Sequence, residues 1–423
     1  MCIKVKKYFI CRKILIMMLQ EVKNKINKKK ILIAGLFVAV VACRLLSTYG
    51  LDVYSDEEEI LSCIDSIIKT GKDVYGQSFP LFSRIGAGST TFAFIYPMVL
   101  VCLVIKAGVL RVRWVLQIIT IASCVLVSAT IKVWTNNKKI ALVVLFVLLT
   151  LPWGFVQANR IWDPTLVPLY FSIFFFFYVK LIKEKNSPKR EYLYCVISFS
   201  SLVLLATVYP PNRIPAVALW IYCFIYALKN KKINKIEAVL IFVFSTLFAL
   251  PLAYSIFFQS GFNNWASMLI VFKGENLLKE FFKYMQNICS YFSFNYLFVT
   301  GDVIPRHSLP IFGVLGTVNV IPTVYILING KEIYRNNKHL ISLMVFIIIF
   351  TLLSVGLTDE YHPHTLRSCL CWIPLGIIIA CSWYELLRNS SERKIKCLLL
   401  LFFTSFIAWF IFDILITRSV LCF

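Results

Sequence analysis

Residues 53–60 read VYSDEEEI, so Asp56, Glu57, Glu58 and Glu59 stand in a row just beyond the first long apolar run. A carboxylate held at a membrane border beside cations is a candidate general base, able to take a proton from an attacking hydroxyl. Helix capping accounts for part of the row. With Ser55 as N-cap, Glu58 falls at N3 of a capping box ahead of Ile60, Leu61, Ile64, Ile67 and Ile68, and acids in a first turn suit the helix dipole. Helical spacing sets Asp56 and Glu57 above Ile60, Leu61 and Ile64, on the apolar face. Glu58 and Glu59 fall above Ser62, Cys63 and Asp65. Asp56, with Glu57 beside it, is therefore expected on the bundle side and singled out for acid/base work.

Cationic partners occur in four other polar stretches: NRIWDP (159–164), YPPNRIP (209–215), TGDVIPRHS (300–308) and TDEYHPHTLRS (358–368). Arginine forks bind phosphate bidentately and stay charged, which makes Arg160, Arg213, Arg306 and Arg367 candidates for an anionic substrate. Arg84, Arg111 and Arg113 read instead as loop-end anchors snorkelling to headgroups. His307 and His364 can meet a phosphate or a carboxylate. Asp56, Glu57, Asp163 and Asp302 are oxygen donors of the kind a hard divalent cation takes.

The elements that position these residues are membrane helices. Of 423 residues, 59% are hydrophobic and only 15% charged, beyond the range of soluble domains. The net charge of +23 lies in short Lys/Arg clusters between apolar runs, the pattern of cytoplasmic loops rather than of a nucleic-acid surface. The fourteen cysteines show no metal-ligand spacing. Residues 1–30 read as a basic cytoplasmic tail. Spans are expected at 31–48, 114–134, 139–157, 163–182, 193–208, 212–228, 236–258, 309–329, 339–357, 366–386 and 396–417. A further apolar run, 89–109, carries Pro97 and Lys106 and is expected to lie tilted or re-entrant, because its crossing would invert the positive-inside pattern. Eleven crossings then leave the N-terminus cytoplasmic and the C-terminus external. The first external loop covers 49–113 and another 259–308, with no separate soluble domain in 31–423. All five chemistry-bearing stretches fall on the external face.

The order of these motifs resembles the GT-C superfamily of polyprenyl-phosphate-sugar-dependent glycosyltransferases, especially bacterial relatives of protein O-mannosyltransferases and the aminoarabinose transferase, over about residues 31–387. YSDEEEILSCIDSIIKTGKDVYGQSFPLF resembles that family's first external loop, which implies Asp56 as acid/base carboxylate and Glu57 as its companion. LPWGFVQANRIWDP matches a Pro–Arg–acid junction through Arg160 and Asp163. YPPNRIP matches an aromatic-Pro-Arg turn through Tyr209 and Arg213. FNYLFVTGDVIPRHSLPIFGVLG resembles a bacterial loop with Gly301, Asp302, Arg306 and His307 in place, and HPHTLRSCLCWIP a His-x-x-Arg helix start with His364 and Arg367. The implied fold is an all-α, polytopic membrane helix bundle of about 11–12 transmembrane helices.

The implied activity is inverting transfer of a sugar from a polyprenyl-phosphate donor to a glycan, lipid or protein acceptor of the cell envelope, outside the cytoplasmic membrane. A divalent cation is an option the family leaves open. Two other classes compete, beside an inactive, structural relative. A lipid-linked saccharide transporter or flippase would show inverted repeats and midplane charges, and the ionisable residues here lie at helix ends. A polysaccharide polymerase or ligase would use external Arg and His without an acidic pair after the first helix.

Overall fold

Long runs of Leu, Ile, Val and Phe leave a backbone in hydrocarbon no hydrogen-bond partner but itself, and helices follow. The computed structural model describes residues 30–86, 88–184, 187–258, 270–308 and 312–414, and these are predominantly helical. The chain divides into two compact units after Leu46. The first contributes one described helix, α1, over 30–46; the expected basic tail lies outside the described residues apart from Lys30. Every contact below belongs to the second unit, Ser47–Phe423.

That unit runs α2 (Ser55–Thr70), β1 (Phe82–Ile85), β2 (Gly88–Thr91), α3 (Phe92–Ile105), α4 (Val109–Thr135), α5 (Lys138–Thr150), α6 (Pro152–Ala158), α7 (Val167–Lys183), α8 (Pro188–Val208) and α9 (Arg213–Lys229). It continues with α10 (Lys235–Phe258), α11 (Leu277–Ser290), α12 (Val320–Asn336), α13 (Lys338–Gly356), α14 (Trp372–Arg388) and α15 (Glu392–Phe412). The fold is an all-α polytopic bundle with one addition the sequence did not announce, the antiparallel β1–β2 hairpin. α7 packs between α4 and α8, and α5 packs on α4 and α14. The aromatic run of α7 turns inward, with Phe171, Phe174, Phe175 and Tyr178 all buried.

Seven helices among the described residues are long and apolar enough to cross a membrane, and α5 with α6 makes an eighth if their 55° bend lies within one span. The eleven expected spans differ for physical reasons. α9 and α12 are 17 residues each, about 25 Å at 1.5 Å per residue, at the short end of the range that spans a hydrocarbon core. α3, in the run expected not to cross, has 14 residues and contains Pro97. Within the span expected from 309, residues 312–316 are not helical, a 3-10 turn covers Thr317–Asn319 and the α-helix begins at Val320; Gly313 and Gly316 take positive φ of 57° and 78°. There the chain folds back along the π-helical turn at Asn295–Val299. Gly313, Val314 and Leu315 donate N–H groups to the carbonyls of Val299, Tyr296 and Leu297. A Cβ on Gly313 would lie 2.4 Å from the Phe298 nitrogen, so this backbone approach requires glycine. The fold-back closes the segment carrying Asp302, Arg306 and His307 into a pinned loop.

A second close approach anchors the neighbouring motif. α6 docks on α14 where a Cβ on Gly154 would lie 2.3 Å from the Trp372 ring. Trp153 donates its N–H to Val314 O at 3.0 Å and its indole N–H to Thr365 O at 3.3 Å. The short α6 thereby ties the 300–316 and 358–368 segments together. Along the chain, the helix ends that meet the polar motifs alternate with ends carrying Lys138, Lys183, Lys189, Lys229, Lys235, Lys338, Arg388 and Arg393, so motifs and basic loops lie at opposite ends of the helices.

Candidate functional site

The acidic helix start is capped one residue earlier than expected. Tyr54 is the N-cap and Glu57 stands at N3, its carboxylate accepting the Tyr54 N–H at 3.3 Å. The expected Ser55/Glu58 box is not formed. Of the two carboxylates expected on the bundle side, only Glu57 is buried there, at 2% exposure. Asp56 is exposed, beside the β1–β2 turn, and makes no hydrogen bond or ion pair among the described residues. Glu59, expected as a bystander, accepts the Gly86 N–H at 2.6 Å and holds that turn.

Glu57 is a hub. Arg113 donates from Nε to Oε1 at 3.0 Å and from Nη2 to Oε2 at 2.5 Å. The Ile161 N–H reaches Oε1 at 2.8 Å, and Arg160 Nη1 lies 3.5 Å from Oε2. With its oxygens so engaged, Glu57, expected as the base's companion, orders the first loop against the 159–164 turn. Arg113 is not a snorkelling anchor: at 2% exposure it also donates to the carbonyls of Leu51 and Asp52, at 2.9 and 2.8 Å. The available signal was an Arg heading a long apolar helix, which demands a counter-charge.

Arg160 donates to Asp52 O and lies over the Tyr54 ring, 4.3 Å from its centre. Arg306, from the pinned loop, lies over the same ring at 5.4 Å. Tyr54 thus carries two guanidinium groups from separate motifs two residues before Asp56. Beside them, Asp163 accepts the Thr90 hydroxyl at 2.5 Å, tying β2 to the start of the α7 segment. Arg367 pairs with Glu360 and donates to Thr358 Oγ1 at 3.2 Å. Glu360, which sequence reasoning passed over, is its counter-ion. Burial raises the Tyr209 hydroxyl pKa, against the lowering effect of the Arg367 charge, and Arg213 opens α9 half-buried. Lys283, Asn287, Asp359, Glu360 and His362 line a polar cavity of about 560 Å³ beside this pair.

The expected oxygen set for a cation is not assembled. Asp56 is exposed, Glu57 is committed to arginines and Asp163 to Thr90; Asp302 stands with two histidines instead. His307 Nδ1 and His364 Nδ1 lie 3.5 and 3.9 Å from Asp302 Oδ2, and the two rings are 4.7 Å apart. The three donor atoms lie within 4.8 Å of one another, and the group could hold a metal ion. Asp302 is fixed by N–H donors, Ile304 to Oδ1 at 2.8 Å and Thr365 to Oδ2 at 2.5 Å. Burial works to raise its carboxyl pKa, but the His307 contact, His364 and the Ile304 N–H outweigh it and hold the carboxyl below its ordinary value. Burial, then the Arg367 charge, pushes His364 down to about 2, so its imidazole is neutral with a free lone pair. The spacing 302, 307, 364 crosses two loops, which is why sequence inspection missed the cluster.

Comparison with known proteins finds likeness in structure alone. No protein-family model matches the chain, and no curated protein matches its sequence. ArnT from Cupriavidus metallidurans bound to undecaprenyl phosphate superposes with a TM-score of 0.56 at 12% identity, over 87% of this chain and 62% of that one. The archaeal oligosaccharyltransferase AglB from Archaeoglobus fulgidus, in complex with an inhibitory peptide and a dolichol-phosphate, gives 0.52 at 11%, over 89% of this chain and 55% of that one. The chain spans less than two thirds of either. It has the GT-C-type polytopic fold that these two membrane proteins share.

Proposed function

We propose that the chain is a membrane glycosyltransferase moving a sugar from a polyprenyl-phosphate donor to a glycan, lipid or protein acceptor of the cell envelope, with its site on the extracytoplasmic side. One observation carries the reading: Arg160 and Arg306 both lie over Tyr54, two residues from the exposed Asp56. Permanently charged forks suit a lipid phosphate, and a solvent-reachable carboxylate beside them suits an acceptor hydroxyl.

In the proposed step the acceptor hydroxyl gives its proton to Asp56. Its oxygen bonds to the anomeric carbon as the bond from that carbon to the phosphate oxygen breaks. The polyprenyl phosphate leaves with the electron pair, its charge met by Arg160 and Arg306, and single displacement inverts the centre. Glu57 is a positioning residue, holding Arg160 and the 159–164 turn. Asp163, Tyr209, Arg213 and Arg367 complete the proposed substrate contacts.

Binding of labelled polyprenyl phosphate to purified protein tests the carrying observation. Arg306→Gln removes a charge-assisted contact of about 1.5–3 kcal/mol, roughly a ten- to hundred-fold weakening, without shifting the melting temperature. Wild-type affinity in Arg306→Gln and Arg160→Gln would contradict the assignment.

A further inference from the structure

His307 and His364 are 2% and 6% exposed, and Nδ1 of neither makes a conventional hydrogen bond among the described residues. Both face Asp302 Oδ2, which already accepts the Thr365 N–H at 2.5 Å. Contacts of 3.5 and 3.9 Å are too long for good hydrogen bonds, so hydrogen bonding leaves the two buried Nδ1 atoms converging on Asp302 without a good partner. Ligands of a tetrahedral zinc ion at about 2.0–2.1 Å stand about 3.3 Å apart. The Asp302–His307 pair, at 3.5 Å, is already near that spacing, and the widest pair is within 4.8 Å.

The geometry points to Asp302, His307 and His364 as a site for a single zinc-class divalent ion, tying the 300–308 loop to the 358–368 loop. Two imidazoles and one carboxylate suit Zn²⁺ and its first-row neighbours; Mg²⁺ and Ca²⁺ require shells built almost wholly of oxygen. An outer contact of the kind that orients a metal ligand is in place on the carboxylate. Ile304 N–H fixes Asp302 Oδ1, and the backbone N–H of His364 donates to Tyr291 Oη at 3.1 Å, which anchors the residue's main chain.

Arg306 couples to this site. Its Nε donates to His307 Nε2 at 3.2 Å, which fixes the imidazole proton on Nδ1, the atom that must take the metal. Loading moves that proton from Nδ1 to Nε2, with no net change on the ring. Nε2–H then faces Nε–H, two donors, and Arg306 must turn away. Metal binding and the Arg306–His307 contact therefore exclude one another, and occupancy frees Arg306 on the Tyr54 side. This inference stands apart from the glycosyltransferase reading, since its readouts are metal content and spectra.

The test is elemental analysis and Co²⁺ substitution of the full chain in detergent. Wild type is expected to retain about one zinc per chain against excess Mg²⁺, and to give with Co²⁺ the visible bands of a low-coordinate N/O site without thiolate charge transfer. Asp302→Asn, His307→Gln and His364→Gln lose both. Arg306→Met, which removes the competing donor, binds zinc tighter by roughly two- to ten-fold, the worth of one hydrogen bond. If the ligand variants fail to fold, the wild-type cobalt spectrum and the Arg306→Met shift still decide. No stoichiometric uptake by wild type, undiminished uptake in a folded His307→Gln/His364→Gln chain, a thiolate band, or unchanged affinity in Arg306→Met would each overturn the assignment.

Discussion

Arg113 and Glu57 meet as a two-bond fork at 3.0 and 2.5 Å, each side chain 2% exposed, 56 residues apart in the chain. Burial removes both charges from water, and only mutual contact and the surrounding carbonyls offset that loss. The pair therefore sets where the first loop sits on α4, and with it where Asp56 and Tyr54 lie.

Breaking one side of this pair is more damaging than removing both. Glu57→Gln strands Arg113 and is expected to lose about 3–5 kcal/mol of stability. Glu57→Gln/Arg113→Met should melt above the Glu57→Gln single variant in detergent. A Glu57→Gln chain that melts with wild type would remove the hub from the account.

The fold-back at Gly313 predicts a local phenotype. An alanine there adds a Cβ 2.4 Å from Phe298 N at a φ of 57°, an overpacking of about 1–3 kcal/mol with backbone strain added. Limited proteolysis should cut the 300–312 segment faster in Gly313→Ala. Gly76→Ala has positive φ but open space around the new Cβ and serves as control. Equal cleavage rates in the two variants would contradict the pinning.

The docking of α11 is pH-sensitive in a defined direction. Asp359 pairs with Lys283 of α11 and, at 3.1 Å, with Lys273, and the Lys283 contact first, then Lys273, hold its carboxyl below the ordinary value. A depressed folded value means the contribution is present above the unfolded pKa of about 3.9 and is lost as pH falls through the folded one. The pair is solvent-screened, so the effect is below about 1 kcal/mol. Hydrogen exchange across Leu277–Ser290 should be faster in Asp359→Asn at neutral pH. The difference from wild type should begin to shrink below about pH 4 and vanish only below the lower pKa of the folded carboxyl; a difference that does not shrink with acidification would exclude the carboxylate as its source.

Much of this was legible in the chain because membrane solvent leaves few choices. Apolar runs and Lys/Arg clusters gave the helical class and its two unlike ends, and motif order gave the likeness that the solved structures support at the level of fold. Cap register was legible only to one residue. Tyr54 rather than Ser55 caps α2, with Glu57 at N3 held by Arg113, a tertiary contact no local pattern contains. The same contact turned Arg113 from an anchor into a core residue. The Asp302–His307–His364 cluster depends on a loop closed by Gly313 and a motif 57 residues further on from His307 to His364, so its assembly follows from packing. The expected span 212–228 matches α9 to within one residue, whereas the helix expected over 309–329 is displaced to Val320–Asn336, because hydropathy does not see the backbone turn at Thr317–Asn319.

The central claim is that Asp56 takes the acceptor proton. The most direct measurement is transfer of labelled sugar from defined polyprenyl-phosphate donors to envelope extracts by purified wild type and Asp56→Asn. Because Asp56 is exposed and makes no ion pair among the described residues, the substitution should leave the melting temperature unchanged. Transfer is expected to fall by about 10²–10⁴-fold, the usual worth of a general base. An Asp56→Asn protein that folds as wild type and transfers at the wild-type rate would contradict the account.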